Sequence, residues 1–180
     1  MKYEEKILKF TIFSIVFVSI LGTLLHFAFK WSNYNMFVAA FSNVNESTWE
    51  HLKLLFYPML ISTIIGYFYI GKLLRGFLCA RIFGIFTSLI FIIVFFYTSS
   101  GILGTNIALL NIASFFASTI LGEYVSYRLL LSNSSCNNSK AIISLLLLFV
   151  CFIIFTYSPP KIGLFKDPIS NSYGIVLPNT

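Results

Sequence analysis

Apolar blocks of about 20 residues dominate this sequence and limit what it can fold into. Short polar breaks separate the blocks, and a helical block of about 20 residues matches the thickness of a bilayer's hydrocarbon layer. Charged residues make up only 10% of the 180 residues, against about 25% in soluble domains. The pattern predicts an all-α polytopic membrane protein, because a transmembrane barrel would need short strands that alternate apolar and polar residues.

Five blocks are predicted to be transmembrane helices of one integral membrane domain, 1–180. Their approximate bounds are 7–29, 47–70, 82–98, 106–131 and 141–157, and a polar tail follows at 158–180. A shorter apolar segment, 36–41, cannot cross a bilayer and is expected to be interfacial or re-entrant. The first block is expected to be retained, because no small-x-small cleavage site closes it.

Basic residues set the predicted orientation. Five spans put the termini on opposite sides. An N terminus inside places eight Lys and Arg residues on cytosolic flanks, including Arg81 at the end of the link 71–81, and four outside, including Lys53, as the positive-inside rule favours. The stretch NESTWEHLK, 45–53, and the C-terminal tail then share the outer face. The net charge of +6 lies at the ends of apolar blocks, so it indicates the lipid bilayer as partner and not nucleic acid.

The three cysteines give no motif. Cys79, Cys136 and Cys151 contain no CxxC pair, and the predicted orientation puts two of them on the cytosolic side and the third inside a span. Free thiols are therefore expected.

The stretch 45–53 concentrates charge in an otherwise apolar chain, with two of the six acidic residues and one of the two histidines. If a helix begins near residue 45, His51 points about 100° away from a polar stripe on the same helix. That stripe consists of Glu46, Glu50, Lys53 and Tyr57. A purely structural interpretation competes for two positions, since Ser47 and Glu50 match a capping box. It does not explain His51 or Lys53.

Both histidines are candidate metal ligands. His26 lies near the outer end of the first span, at a depth similar to that of His51. With Glu46 or Glu50 they offer nitrogen and oxygen ligands for zinc or a similar divalent cation, and Asp167 of the tail could contribute. The spacing matches no HExxH motif, and a lone histidine at a helix end is more often an interfacial hydrogen-bonding group.

Glu123 is an acidic residue placed well inside the fourth span, 106–131. Intramembrane acids are costly and suggest proton or ion coupling. A structural alternative is pairing with Arg75 or Arg81 near the inner boundary.

Small residues form a stripe on the fourth span, at Asn111, Ser114, Ser118 and Gly122. Such stripes allow close packing of helices, which is the simpler interpretation. The same face could instead receive a partner membrane subunit.

Three segments carry a resemblance to a known group: HFAFKWS after the first span, NESTWEHLK at the second, and LFKDP with the following YGI in the tail. The chain resembles a family of small uncharacterised multispanning membrane proteins of Gram-positive anaerobes. The resemblance covers most of the chain and implies residence in the bacterial plasma membrane and a domain of unknown function. It transfers no catalytic residue.

These observations predict an integral membrane protein with a polar site at the outer face that binds a small solute, a lipid headgroup or an ion. The candidate ligand-binding residues are His26, Glu46, Glu50, His51, Lys53 and Asp167. One alternative is a membrane-embedded metal-dependent hydrolase that uses the same residues, with one Glu as general base. Another is a solute-binding subunit of a larger transporter. Catalytic residues are not assigned.

Overall fold

Helices make up the regular structure of the computed structural model, which describes residues 2–132, 137–175 and 177. The α-helices are α1 (Lys2–Trp31), α2 (Met36–Ala39), α3 (Thr48–Tyr69), α4 (Phe77–Leu103), α5 (Ala108–Leu131) and α6 (Asn138–Tyr157). Short 3₁₀ turns follow α3 and α6, at Gly71–Leu73 and Gly163–Phe165. All of these helices except α2 are long and apolar enough to cross a membrane. The prediction of an all-α protein with five apolar spans is confirmed; its orientation stays a prediction.

The helix α4 differs most from its predicted bounds. It begins after Gly76 and ends before Gly104, and both glycines adopt positive φ, 73° and 66°, a left-handed conformation that closes helices and favours glycine. Because α4 starts earlier than expected, Arg81 lies inside it and is fully buried. Its assignment to a cytosolic link was wrong. Lys53, which was counted on the outer side, is fully buried as well. Without these two residues, the predicted orientation has seven basic residues on the cytosolic side and three on the outer side.

The five long helices alternate in direction along the chain, and this brings distant segments together at one end of the bundle. His26 near the end of α1 faces His51 near the start of α3, with ring centroids 5.6 Å apart. Thr156 near the end of α6 accepts a hydrogen bond from Lys53 over 2.8 Å. We call this the tail end, because the C-terminal segment also packs there. The opposite end, where α1 starts, is the N-terminal end.

The segment 36–41 forms one helical turn at the tail end. Ala39 is buried while Phe37 is 74% exposed, and the Asn35 side chain caps the turn by accepting from the Phe37 amide over 2.8 Å. The amine of Lys53 donates to the Ala39 carbonyl over 2.8 Å, which fixes the turn against α3.

The free-thiol expectation holds for one of the cysteines. Cys151 is free, whereas Cys79 is disulfide-bonded, so the expectation was wrong there. Cys136 lies outside the described residues.

Candidate binding site

The start of α3 separates the residues of the predicted polar stripe. Ser47 is the N-cap and accepts from the Glu50 amide over 3.4 Å, so the helix proper begins at Thr48. Glu46 therefore precedes the helix, and its side chain does not follow the helical direction of Glu50 and Lys53. The sequence-based stripe assumed a helix from residue 45. The later start pairs Glu46 with His51 instead.

The capping box is only half formed. Ser47 caps the helix as expected, but the Ser47 amide donates to the Asn45 side chain over 2.8 Å and not to Glu50. Glu50 turns inward and accepts from the Val44 amide over 3.1 Å. Asn45 thus accepts from the Ser47 amide, as Glu50 would in a complete capping box. The Glu50 carboxylate is left to bond in the bundle interior.

Glu46 and His51 form one polar pair at the tail end. The His51 Nε2 atom lies 3.4 Å from Glu46 Oε2, and the two side chains are 29% and 36% exposed. His51 Nδ1 lies 3.0 Å from the Ser47 carbonyl oxygen, which can only accept. Both ring nitrogens therefore face acceptors, an arrangement that the doubly protonated ring satisfies. The hydrogen bond from His51 lowers the pKa of Glu46 below its usual value.

His26 is the third member of this cluster, and its hydrogen bonding differs from that of His51. Its ring lies 5.6 Å from that of His51 at an interplanar angle of 35°, and it stands edge-on to Phe27 at 5.0 Å. The hydrogen bonds found among the described residues leave both of its ring nitrogens without a partner. His26 is half-buried, so these nitrogens are open to a ligand, whereas those of His51 are occupied.

The His26, Glu46 and His51 side chains line a partly open cavity of about 510 Å³. It lies between α1, α3, α4 and α5, with part of the tail on one side. Its other polar lining residues are Thr23, Thr48, Asn106, Asn111 and Ser114. Its apolar lining includes Leu54, Ile92, Phe96, Phe115 and Ile169. A mostly apolar cavity of this size with a few converging polar groups is the usual form of a small-molecule site.

A proline and a glycine shape the wall of the cavity, and sequence reasoning did not find this pairing. Pro58 has no amide hydrogen, so the Leu54 carbonyl loses its helical donor. That carbonyl faces Gly22 of α1, where a Cβ atom would lie only 2.4 Å from its oxygen. Only glycine permits this approach. The sequence signal was Pro58 one turn after Leu54, but nothing in the sequence indicated Gly22 as the opposing residue.

Glu50 and Lys53 do not belong to this cavity. Lys53 Nζ lies 2.6 Å from Glu50 Oε2, and their side chains are 3% or less exposed. The ammonium group also donates to the Ala39 carbonyl and to Thr156, which uses its three donors. The pair joins α2, α3 and α6 and is fully satisfied, so it has no free group to offer a ligand.

Asp167 is also engaged within the protein. It is buried, and its carboxylate accepts from the Ile169 amide over 2.9 Å and from the Ser170 hydroxyl over 2.6 Å. These bonds shape a turn of the tail. The neighbouring residues Pro168 and Ile169 line the cavity, so Asp167 positions a wall of the cavity and does not line it.

Glu123 lies in the bundle interior and pairs with Arg81. Both are fully buried, and Arg81 Nη2 donates to Glu123 Oε1 over 2.8 Å while Nη1 donates to the other carboxylate oxygen. Hydroxyl groups from three helices complete the shell, on Ser14, Ser62, Thr63 and Ser126. The pair links α4 to α5, and the hydroxyls tie in α1 and α3.

The small-residue stripe of α5 faces α4 over half its length. The Ser88 hydroxyl donates to the Ser118 carbonyl over 2.8 Å, and a Cβ on Gly122 would lie 2.5 Å from the Gly84 carbonyl oxygen. The other half, Asn111 and Ser114, lines the cavity. A partner subunit on this face stays a prediction, and α4 already covers Ser118 and Gly122.

The proposed metal ligands are close together without forming a metal centre. Within the described ranges, no group of three or more His, Cys, Asp and Glu side chains has a geometry that could hold a metal ion. His51 directs one ring nitrogen to the Ser47 carbonyl and the other to Glu46, so it would have to give up a hydrogen bond to bind a metal. The zinc site and the metal-dependent hydrolase stay predictions.

Comparison with known families finds a match that covers almost the whole chain. The model of a family of unknown function, DUF6512, matches residues 1–175. The chain belongs to DUF6512. No curated protein and no solved structure matches it. The match spans all five apolar helices and the cavity of this DUF6512 protein, and it agrees with the resemblance drawn from the sequence to a domain of unknown function.

Proposed function

We propose that this DUF6512 protein binds a small amphipathic molecule in the cavity at its tail end. The single observation that carries the proposal is the position of His26. This residue lines a cavity of about 510 Å³, and its two ring nitrogens have no hydrogen-bond partner among the described residues. Sites that bind small molecules commonly have about this volume. An unoccupied imidazole in such a place supports a recognition role.

The cavity offers different chemistry to the two parts of such a molecule. Its polar groups lie on α1 and around the start of α3, with His26 beside the Glu46–His51 pair. Leu54, Ile92 and Phe96 supply apolar surface. A polar head would bond to His26 while an apolar body would cover these side chains, gaining roughly 25 cal/mol for each Å² of apolar surface removed from water.

The Glu46–His51 pair would support recognition indirectly, by keeping the positive charge of the cluster on His51 and leaving the His26 ring neutral. Two imidazolium rings with centroids 5.6 Å apart would repel each other, so the cluster is best satisfied with one positive charge, on His51 beside Glu46. His26 then offers one donor and one acceptor. A hydroxyl or amide group of a ligand could use both.

Photolabelling tests the proposal. The protein in lipid nanodiscs would be irradiated with diazirine probes that share a dodecyl chain and carry an alcohol, a carboxylate or an ammonium head. At least one probe should label α1 or α5 residues of the cavity in a saturable manner. Absence of saturable labelling there by all three probes would overturn the proposal.

Two alanines of α5 provide matched variants. Both are exposed, but Ala108 lines the cavity and Ala113 does not. The variant Ala108→Phe should reduce labelling by about tenfold, equivalent to about 1.4 kcal/mol of binding, while Ala113→Phe should leave it unchanged. Equal labelling of both variants, each eluting as a monodisperse species, would place the probe outside the cavity.

Location and orientation belong to the same proposal. Five apolar helices support multi-pass residence, and the family resemblance favours the bacterial plasma membrane with the N terminus inside. The remaining basic residues support this orientation. In intact cells, a membrane-impermeant maleimide should label Lys161→Cys at the tail end and not Lys72→Cys at the N-terminal end, after subtraction of labelling in the unsubstituted chain. The reverse pattern would invert the orientation.

A further inference from the structure

The cavity is bounded partly by residues on the outer surface of the bundle. Phe27 of α1 is 43% exposed, and Ile112 and Phe116 of α5 are 57% and 40% exposed, yet all three line the cavity. These residues belong to exposed apolar stripes on their helices. The stripe on α1 also contains Leu24, and the stripe on α5 also contains Ile120. The gap between α1 and α5 therefore opens toward the apolar surface that a bilayer would cover.

The tail limits access from the other direction. Pro168 and Ile169 line the cavity. Two contacts hold the C-terminal segment against this end of the bundle. The Asn45 side chain donates to the Gly174 carbonyl over 2.8 Å, and Phe165 packs on Trp49 with ring centroids 4.8 Å apart. The aqueous side is thus partly covered, while the side between α1 and α5 is bounded by apolar side chains.

The charges of the cavity are balanced within the protein. No Lys, Arg or Asp residue of the described chain lines it, and its single carboxylate, Glu46, already faces the His51 ring. A charged head would therefore enter without a counter-charge, which is costly in a mostly apolar site. An uncharged head avoids that cost.

The cavity also offers neutral hydrogen-bonding groups. Asn111 Nδ2 donates to Asn106 Oδ1 over 2.7 Å, which leaves an amide donor on Asn106 and an acceptor on Asn111. Reversing both amides still leaves one donor and one acceptor. Together with the His26 ring they form a neutral set that suits a hydroxyl or amide head.

Resting on the proposed function, we infer that the occupant is a membrane-dissolved, single-chain amphiphile with an uncharged hydroxyl or amide head, which reaches the cavity through the gap between α1 and α5. A volume of about 510 Å³ holds a drug-sized group, so the head and part of one chain occupy it. The rest of the chain extends past Phe27 and Ile112 into the bilayer.

The dodecyl probes separate this inference from the proposed function. The alcohol probe should label cavity residues at least about tenfold more efficiently than the carboxylate and ammonium probes, and its labelling should follow the mole fraction in the bilayer. Stronger labelling by either charged probe would overturn the uncharged head while leaving a binding cavity. Labelling by a short water-soluble diazirine alcohol, at equal aqueous concentration and without labelling by the dodecyl alcohol, would overturn access from the bilayer.

Two variants test the role of His26. The variant His26→Phe keeps a ring but removes both nitrogens, so labelling by the alcohol probe should fall by about tenfold. His26→Gln retains one donor and one acceptor and should recover most of it. If His26→Phe labels as well as the wild type does, the head does not bind this ring and the inference is wrong. Loss of labelling by all three dodecyl probes in the wild type would instead refute the proposed function.

Discussion

Arg81 and Glu123 form a two-pronged ion pair between α4 and α5, with both guanidinium Nη atoms donating to the carboxylate. The Arg81 Nε atom donates to Thr63 over 3.0 Å, so the pair also fixes α3. Removing one partner of such a pair leaves an uncompensated charge in the bundle interior. The variant Glu123→Gln should lower the free energy of unfolding by about 3–5 kcal/mol, measured by SDS titration in detergent micelles.

A double variant and a surface variant make this prediction specific. Arg81→Met with Glu123→Leu removes both charges and should recover most of the stability lost in Glu123→Gln, because apolar replacements of a whole buried pair are often neutral. Arg128→Met removes an exposed arginine that contacts Tyr124 and should change stability by less than about 0.5 kcal/mol. A stable Glu123→Gln variant would show that the pair adds nothing to the fold.

Lys53 offers a test of whether the charged stretch 45–53 is one site or two. Its ammonium group lies 2.6 Å from Glu50 and is bonded to Thr156, away from the cavity. The variant Lys53→Met should lower the free energy of unfolding by about 3–5 kcal/mol but leave saturable labelling of the folded fraction unchanged. Lys140→Met, at an exposed position near the start of α6, should change neither. Loss of labelling in folded Lys53→Met would return Lys53 to the site.

The fold was accessible from the sequence because the apolar blocks report their length and hydrophobicity directly. Five blocks became five helices, with ends that moved by a few residues. The largest shift came from Gly76 and Gly104, whose positive φ ends α4 at points that hydrophobicity does not mark. That shift also places Arg81 in the bundle interior, where it pairs with Glu123. From the sequence, Arg81 was expected in the link 71–81 and was one of two possible partners of Glu123.

The site was harder to predict, since it depends on where a helix begins. A start at Thr48 and not near residue 45 separates Glu46 from Glu50 and brings Glu46 to His51. The juxtaposition of His26 and His51 could be expected from similar depth in antiparallel helices. The contribution of Asn106 and Phe115 to the cavity could not, because contacts between α1 and α5 have no local signal in the sequence.

Glu46 gives the site a defined dependence on pH. Its pKa is lowered by the hydrogen bond from His51, and the charges of His51 and Lys30 act in the same direction. A group with a lowered pKa in the folded state stabilises above its unfolded pKa, about 4.3 for Glu, and loses this contribution as pH falls through the folded pKa. The difference in Tm between wild type and Glu46→Gln should therefore be largest near neutral pH and vanish in strong acid.

The exposed acid Glu5 serves as the control for this pH series. It pairs with Lys9 at the N-terminal end, and both side chains are more than 60% exposed, at 64% and 67%, so solvent screens the pair. Glu5→Gln should leave Tm close to that of the wild type at every pH. A difference between wild type and Glu46→Gln that grows as pH falls would contradict the assigned hydrogen bond.

Gly22 is the position where a single methyl group should damage both packing and the cavity. A Cβ there would lie 2.4 Å from the Leu54 carbonyl oxygen and 2.6 Å from the Phe115 ring, and the carbonyl is backbone and cannot move aside alone. Gly22→Ala should therefore lower the free energy of unfolding by about 1–3 kcal/mol and weaken photolabelling of the cavity. Gly101, inside α4, has nothing within 4 Å of the position that a Cβ atom would take, so Gly101→Ala should stabilise the helix by about 0.5–1 kcal/mol. Equal effects of the two substitutions, measured by SDS titration, would refute the close contact between α1 and α3.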